Sequence, residues 1–151
     1  MFRCFVLLRY PFVLSVILAM GWLRPNVLAA QQVAIIVNKA NDVTGLSLDQ
    51  VKKIFLGDKS TWPNGRRISV LSRPSGQSER EIVLKQIYKM GDAEYTKYFM
   101  QAAFTGRIAA PPKEAASPAD MKRLVTENPG AIGYLIKEQA DDSVKTVLTI
   151  P

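Results

Sequence analysis

The segment best equipped for chemistry reads Arg-Pro-Ser-Gly-Gln-Ser and runs from Arg73 to Ser78. It lies where the residue pattern predicts that a strand ends and a helix begins, a place where open α/β sheets bind ligands. A helix start offers an anion unpaired backbone amides and the positive end of its dipole. Gly76 allows close approach to the backbone, and Ser75 and Ser78 add hydroxyl donors. With Gln77 and the Arg73 fork, which suits phosphate or carboxylate, the segment is a candidate anion-binding site.

The same residues also fit a purely structural role, and the sequence leaves both interpretations open. Ser78 and Glu81 have the spacing of a capping box, which would use the serine to begin the helix. Arg73 would then be a solvated charge at the end of a strand. The anion-binding interpretation predicts that replacing Arg73 by alanine abolishes anion-induced stabilisation and hardly changes the melting temperature.

Two aromatic residues and two basic pairs are further candidates for ligand contact. Trp62 lies in a turn, where a ring packed over a helix is more common than an exposed contact. Tyr134 is typical of a half-buried strand tyrosine, although its hydroxyl could also point toward the Arg73 region. The basic pairs, which indicate solvated faces, are Lys52-Lys53 and Arg66-Arg67.

Composition argues against enzymatic activity. The chain has no histidine, and Cys4 is its only cysteine. Nucleophilic arrangements that need histidine are therefore excluded, and the commonest zinc ligands are missing. Carboxylate chemistry is not excluded, but the 13 acidic residues are dispersed over predicted helix starts and turns, where caps and solvated faces explain them. The sequence therefore predicts a protein that is not an enzyme and that has no cofactor and no metal site.

The charge balance is mildly basic. The whole chain carries a formal net charge of +7, and residues 31–151 carry +4. This balance suits an anionic ligand or an anionic cell surface. It is too small, and its basic residues are too scattered, to indicate nucleic-acid binding.

The first thirty residues predict a secretory signal peptide. Arg3 and Arg9 supply a basic start, residues 12–20 an apolar run, and Val27-Leu28-Ala29 a cleavage site near Ala30. The alternative is a retained membrane anchor, but the apolar run is short for a span of about 20 residues. The predicted product is a periplasmic domain over residues 31–151.

The remaining residues predict one α/β domain. Val33–Val37 is a continuous apolar run rich in β-branched residues, which indicates a buried strand. Ser47 and Gln50 form a capping box for a helix that ends at Gly57. Further strands are predicted at Ile68–Leu71, Ala131–Leu135 and Val144–Ile150, and further helices from Ser78 to Met90, from Asp92, and from Ser117 to Asn128. Because helices separate the strands, we expect a mixed, mainly parallel sheet with helices on both faces.

Several segments, in this order, resemble the phosphate-type substrate-binding proteins of ABC transporters. The most specific are the Ile-Phe-Leu-Gly stretch of residues 54–57 followed by Trp62, and the Gly-Ala-Ile-Gly-Tyr stretch of residues 130–134. The others are Val37-Asn38, residues 46–53, residues 73–76 and residues 104–107. The resemblance covers most of residues 33–150 and corresponds to the second of the family's two lobes.

The resemblance implies a single-lobe, periplasmic-binding-protein-like domain that binds phosphate or a similar oxyanion for ABC-type uptake. Arg73, Ser75 and Gly76 match the family's arginine and Ser-Gly-Thr helix start. Gln77 replaces the threonine, and Pro74 stands where the family has an acidic residue. The implied partners are the oxyanion and either a membrane transporter complex or a dimer mate. The competing hypothesis is an accessory or interaction protein of the cell envelope that kept the lobe and lost the ligand.

Overall fold

The computed structural model of the chain describes residues 30–151. The signal peptide predicted for residues 1–30 lies outside this range except for its last residue, so its cleavage stays a prediction. Within residues 30–151, no helix combines the length and the apolar character needed to cross a membrane.

Five strands form one mixed sheet in the order β3-β2-β4-β1-β5. Their bounds are β1 Val33–Val37, β2 Ser69–Ser72, β3 Lys113–Glu114, β4 Ala131–Ile136 and β5 Lys145–Ile150. β2 runs parallel to both of its neighbours, β3 and β4. β1 runs antiparallel to β4 and to β5. The predicted mixed α/β sheet is confirmed, and its parallel pairing is confined to the two pairs that β2 makes.

Strand β1 is buried on both faces. Val33, Ile35 and Val37 pack into the larger apolar cluster, whereas Ala34 and Ile36 pack into the smaller one on the other face. The predicted buried strand is confirmed over Val33–Val37. A continuous apolar run indicates burial on two faces and not strand direction, so it is compatible with the two antiparallel neighbours of β1.

Helices cover the two faces of the sheet, as predicted. Their bounds are α1 Leu48–Phe55, α2 Ser78–Val83, α3 Asp92–Phe104 and α4 Pro118–Glu127, with a π-helical turn at Leu84–Tyr88 and a 3₁₀ turn at Lys137–Gln139. The capping box of α1 is confirmed, because Ser47 Oγ accepts from the Gln50 amide and Gln50 Oε1 accepts from the Ser47 amide. The helix predicted from Ser117 to Asn128 is α4, in which Ser117 is the cap and Pro118 the first residue.

The predicted boundaries of α2 and α3 need correction. The helical segment that begins with α2 ends at Lys89, which takes a left-handed conformation with φ of 57°, and not at Gly91. Gly91 is instead the cap of α3, and its amide donates to Glu94 at 2.9 Å. The capping box predicted for α2 is absent, because Gln77 precedes the helix and makes no side-chain cap bond. Strand β3 lies in a region for which the sequence predicted no strand.

Candidate functional site

Arg73 follows the C-terminal end of β2, as predicted, but its guanidinium is buried. The residue is 3% exposed. Arg73 Nε donates to Glu79 Oε1 at 2.7 Å, and Glu79 is buried as well. Arg73 Nη1 donates to the carbonyl oxygen of Ala115 at 2.6 Å, and Nη2 lies 3.4 Å from Gln77 Oε1. The expectation of a solvated charge is therefore wrong, because the first turn of α2 brings a carboxylate back to the end of the strand.

A second buried arginine supports the same turn. Arg80 Nη1 donates to the carbonyl oxygen of Arg73 at 2.6 Å, and its Nε donates to Asp92 Oδ1 at 2.8 Å. Its guanidinium lies 4.5 Å from the ring centroid of Tyr95, and Glu114 Oε1 is 3.7 Å from Nη1. With the carboxylate that pairs with Arg73, this arginine cluster holds two cations and three anions. Neither guanidinium is left without a counter-charge.

An exposed rim borders the arginine cluster and consists of Ser75, Gly76, Gln77 and Ser78. Gly76 has φ of 83°, and a Cβ there would meet nothing within 4 Å. Ser75 Oγ donates to Asp92 Oδ2 at 2.7 Å, and Ser78 Oγ lies 3.4 Å from Glu79 Oε2. Within residues 30–151, the amides of residues 76–78 have no hydrogen-bond acceptor. The rim therefore offers three backbone donors, while both hydroxyls are directed to carboxylates.

Tyr134 of β4 connects the rim to the sheet. Its hydroxyl accepts from the backbone amide of Arg73 at 2.9 Å, and its ring is fully buried rather than half buried. Burial raises the pKa of the Tyr134 phenol far above its ordinary value, and the hydrogen bond from Arg73 opposes this only in part. The phenol is thus a neutral acceptor that fixes the position of the strand end, and its hydroxyl does reach the Arg73 region.

Trp62 and the glycines of residues 130–134 serve packing. Trp62 is buried, as predicted, and its Nε1 donates to the carbonyl oxygen of Gly130 at 3.0 Å. A Cβ at Gly130 would overlap the carbonyl oxygen of Arg67, and a Cβ at Gly133 would overlap the sulfur of Met121. These glycines permit close approach of the chain around β4.

Sequence reasoning missed the second buried arginine and the carboxylates that pair with both arginines. The missed residues are Glu79, Arg80, Asp92 and Glu114. One signal was available for Arg80, because it lies on the helix face of Val83, Leu84 and Ile87, with the i, i+3, i+4, i+7 spacing of a buried stripe. Among residues 30–151, no group of three or more metal-ligating side chains could hold a metal ion.

The family is decided by comparison with known proteins. A family model for the PBP superfamily domain matches residues 24–147. The chain belongs to the PBP superfamily. It is 29% identical over 132 residues to the phosphate-binding protein PstS of Bacillus subtilis. Two solved structures match with TM-scores of 0.62, an ABC-type phosphate transport receptor from Vibrio cholerae at 26% identity and a phosphate ABC transporter substrate-binding protein from Clostridium perfringens with bound phosphate at 27%.

The chain spans less than half of each of these relatives. The match to PstS covers 82% of this chain and 39% of that protein. Each of the two receptor structures matches 78% of this chain over 45% of its own length. The predicted resemblance to a single lobe of the phosphate-type receptors is confirmed.

Proposed function

We propose that the chain is an exported, non-enzymatic solute-binding module for phosphate or a similar oxyanion, linked to ABC-type uptake in the periplasm. The proposal is supported by membership of the PBP superfamily and by relatives that are phosphate receptors, one of them with bound phosphate. The observation in this chain that carries it is the exposed rim, where three consecutive backbone amides at the start of α2 have no hydrogen-bond acceptor within residues 30–151.

In the proposed complex, the oxyanion accepts hydrogen bonds from the amides of residues 76–78. The start of α2 favours an anion there, because unpaired amides and the positive end of the helix dipole coincide. The hydroxyls of Ser75 and Ser78 turn from their carboxylate acceptors toward the ligand, which exchanges one anionic acceptor for another. Gly76 has no Cβ to obstruct the approach.

Arg73 contributes less to this complex than its position suggests. Its guanidinium already faces Glu79 at 2.7 Å, so an oxyanion must either displace that carboxylate or lie beside it and be repelled. The positive charge of Arg73 reaches a ligand fully only when Glu79 is neutral or moved away. Glu79 is therefore the residue that limits anion affinity in the isolated chain.

The expected affinity is weak. A helix start contributes about 0.3–2 kcal/mol toward an anion, and each hydrogen bond to a charged group adds about 1.5–3 kcal/mol before competing partners are subtracted. Micromolar binding requires about 8 kcal/mol. Because the hydroxyls and Arg73 must first leave carboxylate partners, we expect dissociation constants from high micromolar to millimolar. Tighter binding requires a second wall, supplied by a membrane transporter complex or by a dimer mate.

Calorimetric titration with phosphate and with sulfate tests the proposal. Glu79→Gln keeps a side chain of the same size and removes the competing negative charge beside Arg73. We expect this variant to bind phosphate about tenfold more tightly than the wild type, because removal of one close like charge is worth at least about 1.4 kcal/mol. The matched control is Glu81→Gln, which removes an exposed carboxylate from the same helix and should leave the affinity unchanged.

The competing function is an accessory protein of the cell envelope that kept the lobe and lost its ligand. The closed pairing of Arg73 with Glu79 and of Ser75 with Asp92 favours it. If neither the wild type nor Glu79→Gln binds phosphate or sulfate up to about 10 mM, a range that covers millimolar constants, oxyanion binding is overturned and the accessory role replaces it.

A further inference from the structure

A groove of about 660 Å³ lies beside the first half of β2. β3 is only two residues long and pairs with Leu71 and Ser72. Ser69 and Val70 pair with β4 on one side and have no partner strand in residues 30–151 on the other. Pro111-Pro112 precedes β3, and prolines cannot donate to a strand ladder, so the strand does not extend backward along β2. The groove occupies the space that a longer β3 would fill.

The floor of this β2 groove is apolar, and the residues along its edge are cationic. Apolar side chains come from Ile54, Phe55, Ile68, Val70, Phe99 and Ile108. The basic residues are Lys59, Arg67, Arg107 and Lys113, and polar groups come from Ser60, Ser69 and Asn128. None of the lining residues is acidic. An apolar interior with a few charges of one sign indicates a ligand with an apolar body and an anionic group.

Three of the four cations are free to meet such a ligand. Arg107 forms an ion pair with Asp58. In the part of the chain that the structure describes, Lys59, Arg67 and Lys113 form no ion pair. No ion pair takes up these three charges, in contrast to those of the arginine cluster, although the charge of Lys113 contributes to lowering the pKa of Asp120.

Packing fixes the outer wall of the groove. A Cβ at Gly57 would lie only 2.6 Å from Ile108 Cγ2, so the loop after α3 approaches the end of α1 as closely as a glycine permits. Tyr98 Oη also donates to the carbonyl oxygen of Leu56 at 2.8 Å. These contacts hold α3 and its following loop against α1 and so fix the position of that wall.

We propose that the β2 groove is a second binding site, specific for a small amphipathic anion such as an organic acid with an aromatic or branched aliphatic body. Its volume falls in the range of about 300–1,000 Å³ that is typical of small-molecule sites. The apolar body of the ligand covers the floor, and its anionic group lies among the free cations at the edge of the groove. The site is separate from residues 75–78, none of which lines the groove. Inorganic phosphate has no apolar body to bury there.

A pair of fluorescent dyes tests this site. Anilinonaphthalene sulfonate carries an aromatic body and one anionic group, whereas phenylnaphthylamine has the same rings without the sulfonate. We expect the wild-type protein to bind the sulfonate more tightly than the uncharged dye. Arg67→Gln and Lys113→Gln should each weaken sulfonate binding about two- to five-fold, the range that a single exposed charge pair provides, and leave the uncharged dye unaffected.

Two control variants make the test specific. Arg66→Gln removes an exposed charge next to Arg67 that does not line the groove, and should leave both dyes unaffected. Phe104→Ser removes the most exposed large apolar side chain of the described residues, 93% exposed, and should also leave them unaffected. The proposal is overturned if Arg67→Gln and Lys113→Gln bind the sulfonate as the wild type does, or if Phe104→Ser abolishes dye binding.

Discussion

Positive charges near the two ends of β2 differ in burial and in pairing. After its C-terminal end, Arg73 and Arg80 are buried, and each is hydrogen bonded to a carboxylate. The groove beside its N-terminal half is lined by Lys59, Arg67 and Lys113 and by no acidic residue. Near the C-terminal end both buried cations have carboxylate partners, whereas three of the cations beside the N-terminal half form no ion pair within the described residues.

A motif identifies residue types and positions, but it does not identify the partners that the fold gives those residues. The motif pointed to Arg73, whose charge is largely taken up by Glu79. Arg67 belongs to a basic pair that suggested only a solvated face, yet it lines a concave, partly apolar surface. Tertiary neighbours therefore decide which cations can act on a ligand.

The largest expected effect is on stability, and it separates the two ends directly. Arg73→Ala leaves the carboxylate of Glu79 buried without its partner, and breaking a buried pair in this way costs about 3–5 kcal/mol. Arg67→Ala removes an exposed side chain and should change the free energy of unfolding by at most about 0.5 kcal/mol. Urea denaturation of both variants measures the difference.

A double variant distinguishes the loss of the ion pair from a general loss of packing. Arg73→Met combined with Glu79→Leu removes both charges and retains apolar volume, so most of the lost stability should return. A loss below about 1 kcal/mol for Arg73→Ala would mean that the guanidinium is solvated. The sequence-based expectation, that this substitution hardly changes the melting temperature, would then hold.

The parts of the fold that the sequence predicted depend on local signals. The capping box of α1, the proline at the start of α4 and the apolar run of β1 can each be read within a few residues. The arginine cluster depends on distant contacts. Arg73 donates to Ala115, 42 residues away, and that contact needs β3, a two-residue strand with no pattern of its own. The β2 groove is the consequence of what β3 does not cover. The family stretches at residues 54–57 and 104–107 contribute to its lining, but they identify the family and not a cavity.

A smaller effect is expected at Asp92, the half-exposed acid of the arginine cluster. Hydrogen bonds from Ser75 and then from Arg80 lower the pKa of Asp92, so the folded state favours the ionised carboxylate. Its contribution is complete above the unfolded pKa of about 3.9 and is lost as the pH falls through the lower folded value. Asp92→Asn should therefore cost about 1 kcal/mol at neutral pH, a modest figure because solvent screens the group.

Urea unfolding of the wild type and of Asp92→Asn, repeated as the pH is lowered below about 4, shows whether acid reduces the stability difference between the two proteins. The difference between the two proteins should shrink with acid. Asp142→Asn is the control, because Asp142 is exposed and makes no side-chain hydrogen bond within residues 30–151. A difference that grows with acid would show that the ionised form of Asp92 does not support the cluster.

Salt should produce the smallest effect and the clearest contrast between the two ends. Cations that share a groove and form no ion pair repel one another, so Arg67→Gln should raise the free energy of unfolding by a few tenths of a kcal/mol at low salt. At about 1 M salt the screening length falls to about 3 Å, and this gain should disappear. The loss caused by Arg73→Ala should hardly respond to salt, because a pair buried among protein atoms is screened much less.

Arg66→Gln, outside the groove, serves as the matched exposed charge and should show a smaller gain than Arg67→Gln. Equal gains for the two arginines would mean that the groove does not concentrate positive charge, and the contrast between the two ends of β2 would then rest on burial alone.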